Sequence, residues 1–358
     1  MDPHAVKVVK RLNSHGHMAY LVGGCVRDLL LGYVPKDFDV ATDASPEQVR
    51  KIFRNSRLIG RRFRLAHVVF GADKIIEVAT FRRQAEIEDR DLLAEDEAED
   101  LLIRHDNSYG EPHEDALRRD FTINGLFYDV ERQEVIDYVN GYEDIETSAI
   151  RTIGVADVRF REDPVRMLRA IKFSSRLGLP IAPEVYQAIL DVGHELMRAA
   201  KPRVFEEILR LLRSGKAYTA VALLWDAGLL KILLPEIAVY AGEPKEAHEG
   251  MWQRLKAMDA HVQKAGAVDD AVLLAVLFYD AVTDALHGAE DRLAAFDSFI
   301  EPINRRFTIP RRLRERMLAI IIAQKRILRG KAHTLSHRSY YRVALDFCAI
   351  QQQQKKRV

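Results

Sequence analysis

The sequence predicts an α+β protein in which a mixed first part is followed by an all-α second part. From Ala19 to about Ile153, short apolar runs typical of strands alternate with turns and short helical patterns. Beyond Arg161 the apolar residues recur at helical spacing. At 358 residues the chain is also too long for one ordinary core, so at least two packed units are expected.

The first element is a helix in the opening residues. Asp2-Pro3 marks its beginning, because proline fits the first helical position, and Gly16 follows its end. Its apolar residues recur at helical spacing: Ala5, Val8, Val9 and Leu12. These positions predict an amphipathic helix that buries one face.

Four strands are predicted in the mixed part: Ala19–Val22, Phe38–Ala41, His67–Phe70 and Ile75–Thr80. The segment Ser45-Pro46-Glu47-Gln48 resembles a capping box with proline at the first helical position. A helix therefore follows the second strand directly, and the acidic residues at the start of that strand are held on regular structure.

The later part of the chain divides into an acidic loop and a series of helices. Residues 84–115 contain thirteen Asp or Glu and little periodicity, which predicts a mobile, solvated loop. Six amphipathic helices are predicted beyond it: Pro164–Leu177, Pro183–Met197, Arg203–Leu212, Tyr218–Leu230, Ala271–Val282 and Arg311–Leu328. We place domains at residues 1–153, 154–240 and 241–358.

Composition excludes several classes of protein. Hydrophobic residues make up 48% of the chain and charged residues 30%, with no apolar run near the roughly 20 residues that a membrane span needs. No membrane partner is therefore expected. The start of the chain lacks a signal-peptide pattern, and Cys25 and Cys348 form no disulfide framework, so we expect a cytoplasmic protein.

The formal net charge of +1 conceals a basic end. Residues 301–358 hold 15 Lys or Arg against three acids. A basic end on an otherwise acidic protein suggests binding to a polyanion, although a solvated basic helix explains the charge equally well. The side chains that would make this contact lie in the last long predicted helix: Arg311, Arg312, Arg314, Lys325 and Arg326.

A glycine turn follows the first predicted strand. Gly23 and Gly24 lack a Cβ, so phosphates could approach the backbone N–H groups at the start of the next helix, and Arg27 could add a charged clamp. A Gly-Gly pair alone is more often a simple tight turn.

Asp37 and Asp39 lie two residues apart on a predicted strand. Their side chains then point to the same face, where they could share divalent cations. Paired metal ions suit phosphoryl transfer, because one lowers the pKa of the attacking hydroxyl while the other neutralises the leaving group. Glu77 is a candidate third carboxylate. An isolated Asp-x-Asp is usually a solvated turn, and an exposed strand acid explains Glu77 as well.

Four ordered motifs together are far more specific than any one of them. They are Gly23-Gly24-x-x-Arg27-Asp28, Asp37-x-Asp39, Arg118-Arg119-Asp120-Phe121-Thr122-Ile123-Asn124 and Glu162-Asp163-Pro164-x-Arg166-x-Leu168-Arg169. In order and spacing the chain resembles the bacterial class II tRNA-CCA-adding enzymes and poly(A) polymerases, most strongly over residues 15–240. The resemblance implies a polymerase-β-like nucleotidyltransferase head, followed by an all-α neck, body and tail that grip RNA.

The resemblance also implies roles for individual residues. Metal binding falls on Asp37 and Asp39, with two ions expected, Mg²⁺ or alternatively Mn²⁺, and Asp120 supports that site. The candidate catalytic residues are therefore Asp37, Asp39 and Asp120, together with Glu77 from the strand pattern. Nucleotide contacts fall on Gly23, Gly24, Arg27, Arg119, Asn124, Asp163, Arg166 and Arg169. The implied partners are ATP and the 3′ end of an RNA.

Asp163 and Arg166 are implied to read the incoming base. Three residues apart on one helix face, a carboxylate acceptor and a guanidinium donor could meet one base edge. Adenine and cytosine both offer an amine donor beside a ring-nitrogen acceptor, so the pair would select either. An intrahelical salt bridge is the ordinary explanation of an isolated Asp-x-x-Arg. Lys172 departs from the arginine of many members, which leaves its nucleotide contact open.

Two segments bear on the branch of the family. The stretch Gly60–Val68 and the stretch Ile76–Arg82 resemble the poly(A) polymerase branch, although a basic hairpin and a core strand common to both branches explain them too. We therefore expect a polynucleotide adenylyltransferase, with a CCA-adding or A-adding enzyme as the alternative. A non-catalytic RNA-binding protein is disfavoured, because it would not need Asp37 and Asp39 together.

Some CCA-adding enzymes also carry a phosphohydrolase with paired His-Asp metal ligands. The nearest analogue here reads Leu277-Phe278-Tyr279-Asp280, with tyrosine in place of histidine. A phenol is a poor substitute for a neutral imidazole at such a metal site. No second, hydrolytic activity is expected.

Overall fold

A computed structural model describes residues 1–60, 64–71, 74–83, 108–242 and 250–355. The chain forms two compact units, the first of Met1–Asp163 with Pro180–Val185 and the second of Pro164–Leu179 with Tyr186–Val358. Among the described residues all strands lie in the first unit and the second is helical, which confirms the α+β fold class. The three-part domain division stays a prediction.

The first unit is built on a mixed sheet. Its strands are β1 Ala19–Val22, β2 Asp39–Thr42, β3 Ser56–Ile59, β4 Leu65–Phe70, β5 Lys74–Thr80, β8 Leu126–Asp129 and β9 Glu134–Asp137, in the order β3-β4-β5-β2-β1-β8-β9. The neighbours β2 and β5 run parallel, and the other neighbouring pairs are antiparallel. The short strands β6 Arg82–Arg83 and β7 Ser108–Tyr109 pair separately.

Helices follow and cover the strands of this sheet. They are α1 Pro3–Ser14, α2 Gly24–Leu30, α3 Pro46–Ile52, α4 Pro112–Leu117, α5 Gly141–Glu146 and α6 Ala156–Glu162, with a 3₁₀ turn at Thr122–Asn124. The α1 helix begins where expected, because the Asp2 carboxylate accepts hydrogen bonds from the N–H groups of His4 and Ala5. Its predicted apolar face is fully buried.

A second apolar layer lies on the other face of the sheet, where the side chains of Val22 and Phe127 point. The residues of this cluster are Val22, Ala41, Phe81, Ala116 and Phe127, with Tyr20, Ile136 and Val139 packed against them. Ala116 comes from α4, so that short helix is held against the sheet by hydrophobic contact. This packing fixes the position of the polar segment that follows α4.

The remaining helices belong to the second unit, apart from the first three residues of α8. They are α7 Val165–Leu177, α8 Pro183–Val192, α9 Lys201–Leu212, α10 Ala217–Asp226, α11 Leu229–Leu233, α12 Pro235–Ala241, α13 Met251–Ala265, α14 Asp270–Ala285, α15 Arg292–Phe307, α16 Arg311–Leu328 and α17 Tyr341–Lys355. Within the described residues, none is both long enough and apolar enough to cross a membrane.

Several sequence-based boundaries need correction. The helix expected over Tyr218–Leu230 ends at Asp226 and resumes at Leu229, because Gly228 adopts a left-handed φ of 68°. The helix expected to reach Met197 is α-helical only to Val192 and continues as a 3₁₀ turn. The capping box at Ser45 is confirmed, with both reciprocal hydrogen bonds present.

Two further expectations fall partly outside the described residues. Of the acidic loop expected over 84–115, residues 84–107 are not described, whereas residues 108–115 contain β7 and the first turn of α4 rather than a loop. The segment Gly60–Val68 joins the antiparallel pair β3 and β4, and its residues 61–63 are not described.

Candidate active site

Three carboxylates lie near one another at the start of β2 and on its neighbour β5. Asp39 is the first residue of β2, and its direct neighbour on the parallel strand β5 is Glu77. Asp37 precedes β2 instead of lying on it, but the burial still alternates. Asp37 and Asp39 are exposed, whereas Phe38 and Val40 are buried. This alternation agrees with the expectation that the two acids share one face, although only Asp39 is on the strand.

The electrostatics of Asp39 reflect this crowding. Its pKa rises to about 6, first because surrounding protein desolvates the carboxylate and then because Glu77 and Asp37 repel its negative charge. Arg119 opposes the shift. Glu77 also lies 3.4 Å from the ring nitrogen Nε2 of His67 on β4. A divalent cation would relieve the repulsion, since carboxylate oxygens are the ligands that Mg²⁺ prefers.

These residues fit a metal site that is completed by substrate. No group of three or more His, Cys, Asp or Glu side chains forms a ready-made metal site within the described residues. Mg²⁺ is typically held by one or two carboxylates together with water and substrate phosphates. Asp37 and Asp39 fit that requirement.

The glycine turn lies beside the start of β8. Gly23 has a φ of 71°, and its N–H donates to the carbonyl of Leu126 at 2.9 Å. A Cβ added to Gly23 would lie 2.8 Å from Nη1 of Arg119. The backbone conformation favours glycine here, and a side chain would also displace the end of the arginine.

Arg27 lies in a buried polar network. Its guanidinium is 3% exposed and donates to Oδ1 of Asp28 from Nε at 2.9 Å and from Nη2 at 2.6 Å. It also donates to the side chain of Asn124. Asn124 in turn donates to Asp120 at 3.0 Å. The guanidinium of Arg27, which was expected to contact phosphate, therefore belongs to a buried hydrogen-bond network. This network connects the helix that follows the glycine turn to the 3₁₀ turn.

Arg119 is oriented by a residue that the sequence interpretation placed in the acidic loop. Asp115, whose side chain is 3% exposed, accepts hydrogen bonds from Nη2 of Arg119 at 2.8 Å and from Nε of Arg118 at 3.0 Å. The Arg119 guanidinium also lies 5.3 Å from the ring centre of Phe127. The spacing Asp-x-x-Arg-Arg could have predicted these contacts, because it places both arginines about one helical turn after the aspartate.

The pKa of Asp115 shows which effect dominates. Burial alone would raise it, but the positive charges of Arg119 and Arg118 and their hydrogen bonds outweigh burial, so the pKa is lowered. Asp115 is therefore ionised and fixes both guanidinium groups.

The residues implied to read the base lie around the end of α6. Asp163 has extended backbone angles, φ −147° and ψ 91°, and it precedes Pro164. The expectation that Asp163 and Arg166 share one helix face is wrong, because Asp163 is extended, a conformation that proline favours in the residue before it. Arg166 is buried in the first turn of α7.

Lys172 and Arg169 lie further along α7. Lys172 donates to Glu207 of α9 at 2.8 Å, and both side chains are largely buried. Burial and the nearby charge of Arg169 lower the pKa of Lys172, while Glu207 opposes the shift. Lys172 is thus engaged by a helix of its own unit.

The basic side chains of α16 lie at its two ends. Arg311, Arg312, Lys325 and Arg326 are exposed and Arg314 is half-buried, while the middle of the helix packs through Met317 and Ile320. Arg311 pairs with Glu315 at 2.7 Å. Four exposed cations on one helix suit contact with a polyanion.

Comparison with known proteins agrees with this geometry. Residues 19–151 match the family described as the poly A polymerase head domain, and residues 178–240 match a probable RNA- and SrmB-binding site of polymerase A. Poly(A) polymerase I of Salmonella typhimurium is 42% identical over 99% of this chain and 79% of its own. A CCA-adding enzyme of Bacillus pumilus is 37% identical over 64% of this chain and 54% of its own.

Solved structures show the same fold. The CCA-adding enzyme of Bacillus stearothermophilus in complex with CTP is 27% identical and superposes with a TM-score of 0.63, covering 100% of this chain and 82% of that one.

The sheet, its carboxylates and the glycine turn define a nucleotidyltransferase. The chain belongs to the family of bacterial poly(A) polymerases and CCA-adding enzymes, as its motifs predicted.

Proposed function

We propose that the protein adds AMP from ATP to the 3′ ends of RNA without a template. The observation that carries the proposal is the exposed pair Asp37 and Asp39 beside Glu77, in the same unit as Arg119 at the glycine turn. In the reaction the 3′ oxygen of the RNA bonds to the α-phosphorus of ATP, and the bond from that phosphorus to pyrophosphate breaks. Carboxylates and a fixed guanidinium are the groups that this charge-rich step needs.

Asp37 and Asp39 would hold the divalent cations, with Glu77 adding negative charge beside Asp39. Bound Mg²⁺ would lower the pKa of the attacking hydroxyl and neutralise charge on the leaving pyrophosphate. Arg119 would contact the triphosphate, since Asp115 holds its guanidinium against the glycine turn.

Gly23 and Gly24 would admit the phosphates to the turn. Arg27, Asn124 and Asp120 would act one step further away. Their hydrogen bonds hold the glycine turn and the 3₁₀ turn together, which positions Arg119 and the phosphates.

Asp163 and Arg166 would read the base, and Arg169 would help to hold the nucleotide. An acceptor and a donor together match the amine and ring nitrogen of adenine, and they also match cytosine. Base-edge chemistry alone does not choose between these two nucleotides.

RNA would be gripped by the helical unit. Residues 178–240 match a family description that names RNA binding, and α16 offers four exposed cations to a phosphate backbone. Such contacts are independent of sequence, which suits an enzyme that extends its own product.

The choice of poly(A) addition rests on the relatives. Identity to poly(A) polymerase I reaches 42% across nearly the whole chain, whereas the CCA-adding relative covers less of it at lower identity. CCA or single-A addition is the second candidate, because the fold is equally that of CCA-adding enzymes.

The test uses purified protein, Mg²⁺ and two labelled RNAs, a tRNA that lacks its CCA end and an unstructured oligomer. ATP and CTP are supplied separately and together. Long ladders on the oligomer with ATP alone are expected. Addition of one to three nucleotides to the tRNA only would instead establish a CCA- or A-adding enzyme.

A further inference from the structure

A buried arginine joins two segments of the first unit that lie far apart in the chain. Arg159 is on α6, and its side chain is 7% exposed. Its Nη2 donates to the carbonyls of Arg118 at 2.9 Å and Arg119 at 2.7 Å. Its Nη1 donates to Oε2 of Glu162 at 2.8 Å, and the Glu162 side chain is 8% exposed. One guanidinium therefore connects the end of α4 with the end of α6.

The carbonyls that Arg159 contacts belong to a helix end. The last carbonyls of an α-helix have no partner within the helix, and α4 ends just before Arg118. The same segment is fixed from its other side, because Ile153 donates its N–H to the carbonyl of Asp120 at 3.1 Å and Thr122 donates to that of Arg151 at 3.0 Å. The backbone that carries Arg119 is thus held firmly.

The other end of the connection adjoins Asp163. Glu162 is the last residue of α6, and the N–H of Asp163 donates to the carbonyl of Arg159 at 3.2 Å. Asp163 is therefore bound through its backbone to the residue whose side chain holds Arg119. The proposed phosphate contact and the proposed base contact share a single rigid support.

We propose that Arg159 is a positioning residue that sets the separation between Arg119 and Asp163 and thereby determines base selectivity. The inference rests on the proposed function, in which these residues meet opposite ends of one nucleotide. When Arg119 and Asp163 are held at a fixed separation, a nucleotide can contact both residues at once only if its base has the right size. The hydrogen-bonding edge of that base must also match Asp163.

Weakening the hydrogen bonds of Arg159 is expected to lower kcat/KM for ATP more than kcat/KM for GTP. ATP loses hydrogen bonds to Asp163 when that residue shifts, whereas GTP does not make those bonds and has less to lose. A displacement of about 1 Å near a reacting site can reduce rate about 100-fold. Selectivity for ATP over GTP therefore falls, in addition to any fall in rate.

Arg159→Lys tests this with little change in volume or charge. A lysine ammonium cannot reproduce the planar fork that reaches two carbonyls and a carboxylate together. We expect the ratio of kcat/KM for ATP to that for GTP, on an unstructured RNA oligomer, to fall by at least about tenfold. Glu162→Gln, which keeps the shape of the pair and removes one charge, is expected to move the ratio in the same direction.

The matched control is Arg161→Lys. Arg161 is on the same helix and pairs with Asp157 at 3.0 Å, but both side chains are more than a third exposed. We expect its ATP-to-GTP ratio to stay that of the unchanged protein. Tripolyphosphate has no base and so tests the phosphate contact alone. In Arg159→Lys, its inhibition constant should change by a smaller factor than the ratio of kcat/KM for ATP to that for GTP.

Equal losses for ATP and GTP in Arg159→Lys and Glu162→Gln would overturn the inference, since a purely structural role lowers both alike. Thermal unfolding of each variant identifies such a general loss. Asp163→Ala separates the inference from the proposed function. If Asp163→Ala leaves the ratio unchanged, base reading by Asp163 is wrong. If it changes the ratio and Arg159→Lys does not, only the role of Arg159 is wrong.

Discussion

At the scale of single residues, the site depends on short-range constraints that leave little freedom of substitution. Gly23 combines a positive φ with the approach of Arg119, and either alone would disfavour a side chain. The pKa of Asp39 is raised first by desolvation and then by the negative charges of Glu77 and Asp37, which are also the candidate metal-binding carboxylates beside it. The residues proposed to act in catalysis are therefore also the ones most constrained by their close neighbours.

Gly23→Ala is expected to raise the KM for ATP by about tenfold or more, because the new Cβ displaces the Arg119 guanidinium. Gly32→Ala is the control. Gly32 has a similar φ of 75°, but a Cβ there meets nothing within 4 Å, so only the backbone penalty of about 1 kcal/mol remains. Equal KM values in the two variants would contradict the steric argument.

Replacing Asp37 or Asp39 with Ala is expected to reduce AMP incorporation by about 1,000-fold or more. Metal ions at this site would neutralise negative charge in the transition state and so stabilise it by several kcal/mol. Binding of a labelled RNA should change little, because the proposed RNA contacts are cations of α16 and not these two acids. Chelation of Mg²⁺ from the unchanged protein should give the same pattern. Full incorporation by either variant would refute the metal assignment.

At the scale of secondary-structure elements, α4 shows how a short helix carries a functional segment. Ala116 is buried in the apolar cluster, and Asp115 fixes the two arginines that follow. Six residues are too few for a helix to be stable alone. Tertiary contacts therefore hold α4, and the arginines take their position from those contacts.

Asp115→Asn is expected to destabilise the protein by about 2 kcal/mol at pH 7, because the two guanidinium groups lose a charged acceptor. The folded-state pKa of Asp115 lies below 3.8, so its contribution is complete above that pH and is lost as the pH falls below it. Urea unfolding at several pH values measures the difference between the two proteins. The difference in free energy of unfolding should be equal at pH 7 and pH 5. A difference that disappears between these two pH values would contradict the lowered pKa of Asp115.

At the scale of the whole molecule, the proposed catalysis and the proposed RNA binding draw on different kinds of chemistry. Carboxylates and one oriented arginine concentrate charge on the sheet of the first unit, whereas the second unit spreads cations over a long helix. Concentrated charge suits a reacting centre, and dispersed cations suit a polymer backbone that must slide.

Replacing Arg311, Arg312, Lys325 and Arg326 with Gln is expected to weaken RNA binding and its salt dependence. Each lost phosphate contact lowers the slope of log affinity against log salt by about 0.7 for single strands. Fluorescence anisotropy with labelled oligo(A) measures that slope, and kcat at saturating RNA should persist. The control replaces four exposed cations of the first unit, Lys7, Lys10, Arg50 and Lys51. An equal change of slope in the α16 variant and the control variant would mean that RNA affinity depends only on the net charge of the protein.

Local sequence patterns specify most of the secondary-structure elements and the chemical groups of the site. The first helix, the strand Ala19–Val22 and the capping box at Ser45 follow from local spacing and capping, which neighbouring residues fix. The motif order was sufficient to predict the family. Local patterns failed where a single dihedral angle mattered, as at Gly228 and at Asp163 before Pro164.

Only the tertiary structure decided which groups meet. Arg27 and Asn124 are 97 residues apart, and Arg159 reaches the carbonyl of Arg118 across 41 residues. Glu77 joins the acids of β2 because β5 pairs with β2 in parallel, a register that no local pattern specifies. Spacing along the chain constrains contacts only within a helical turn or a strand pair, whereas these contacts depend on how the whole sheet and its helices pack.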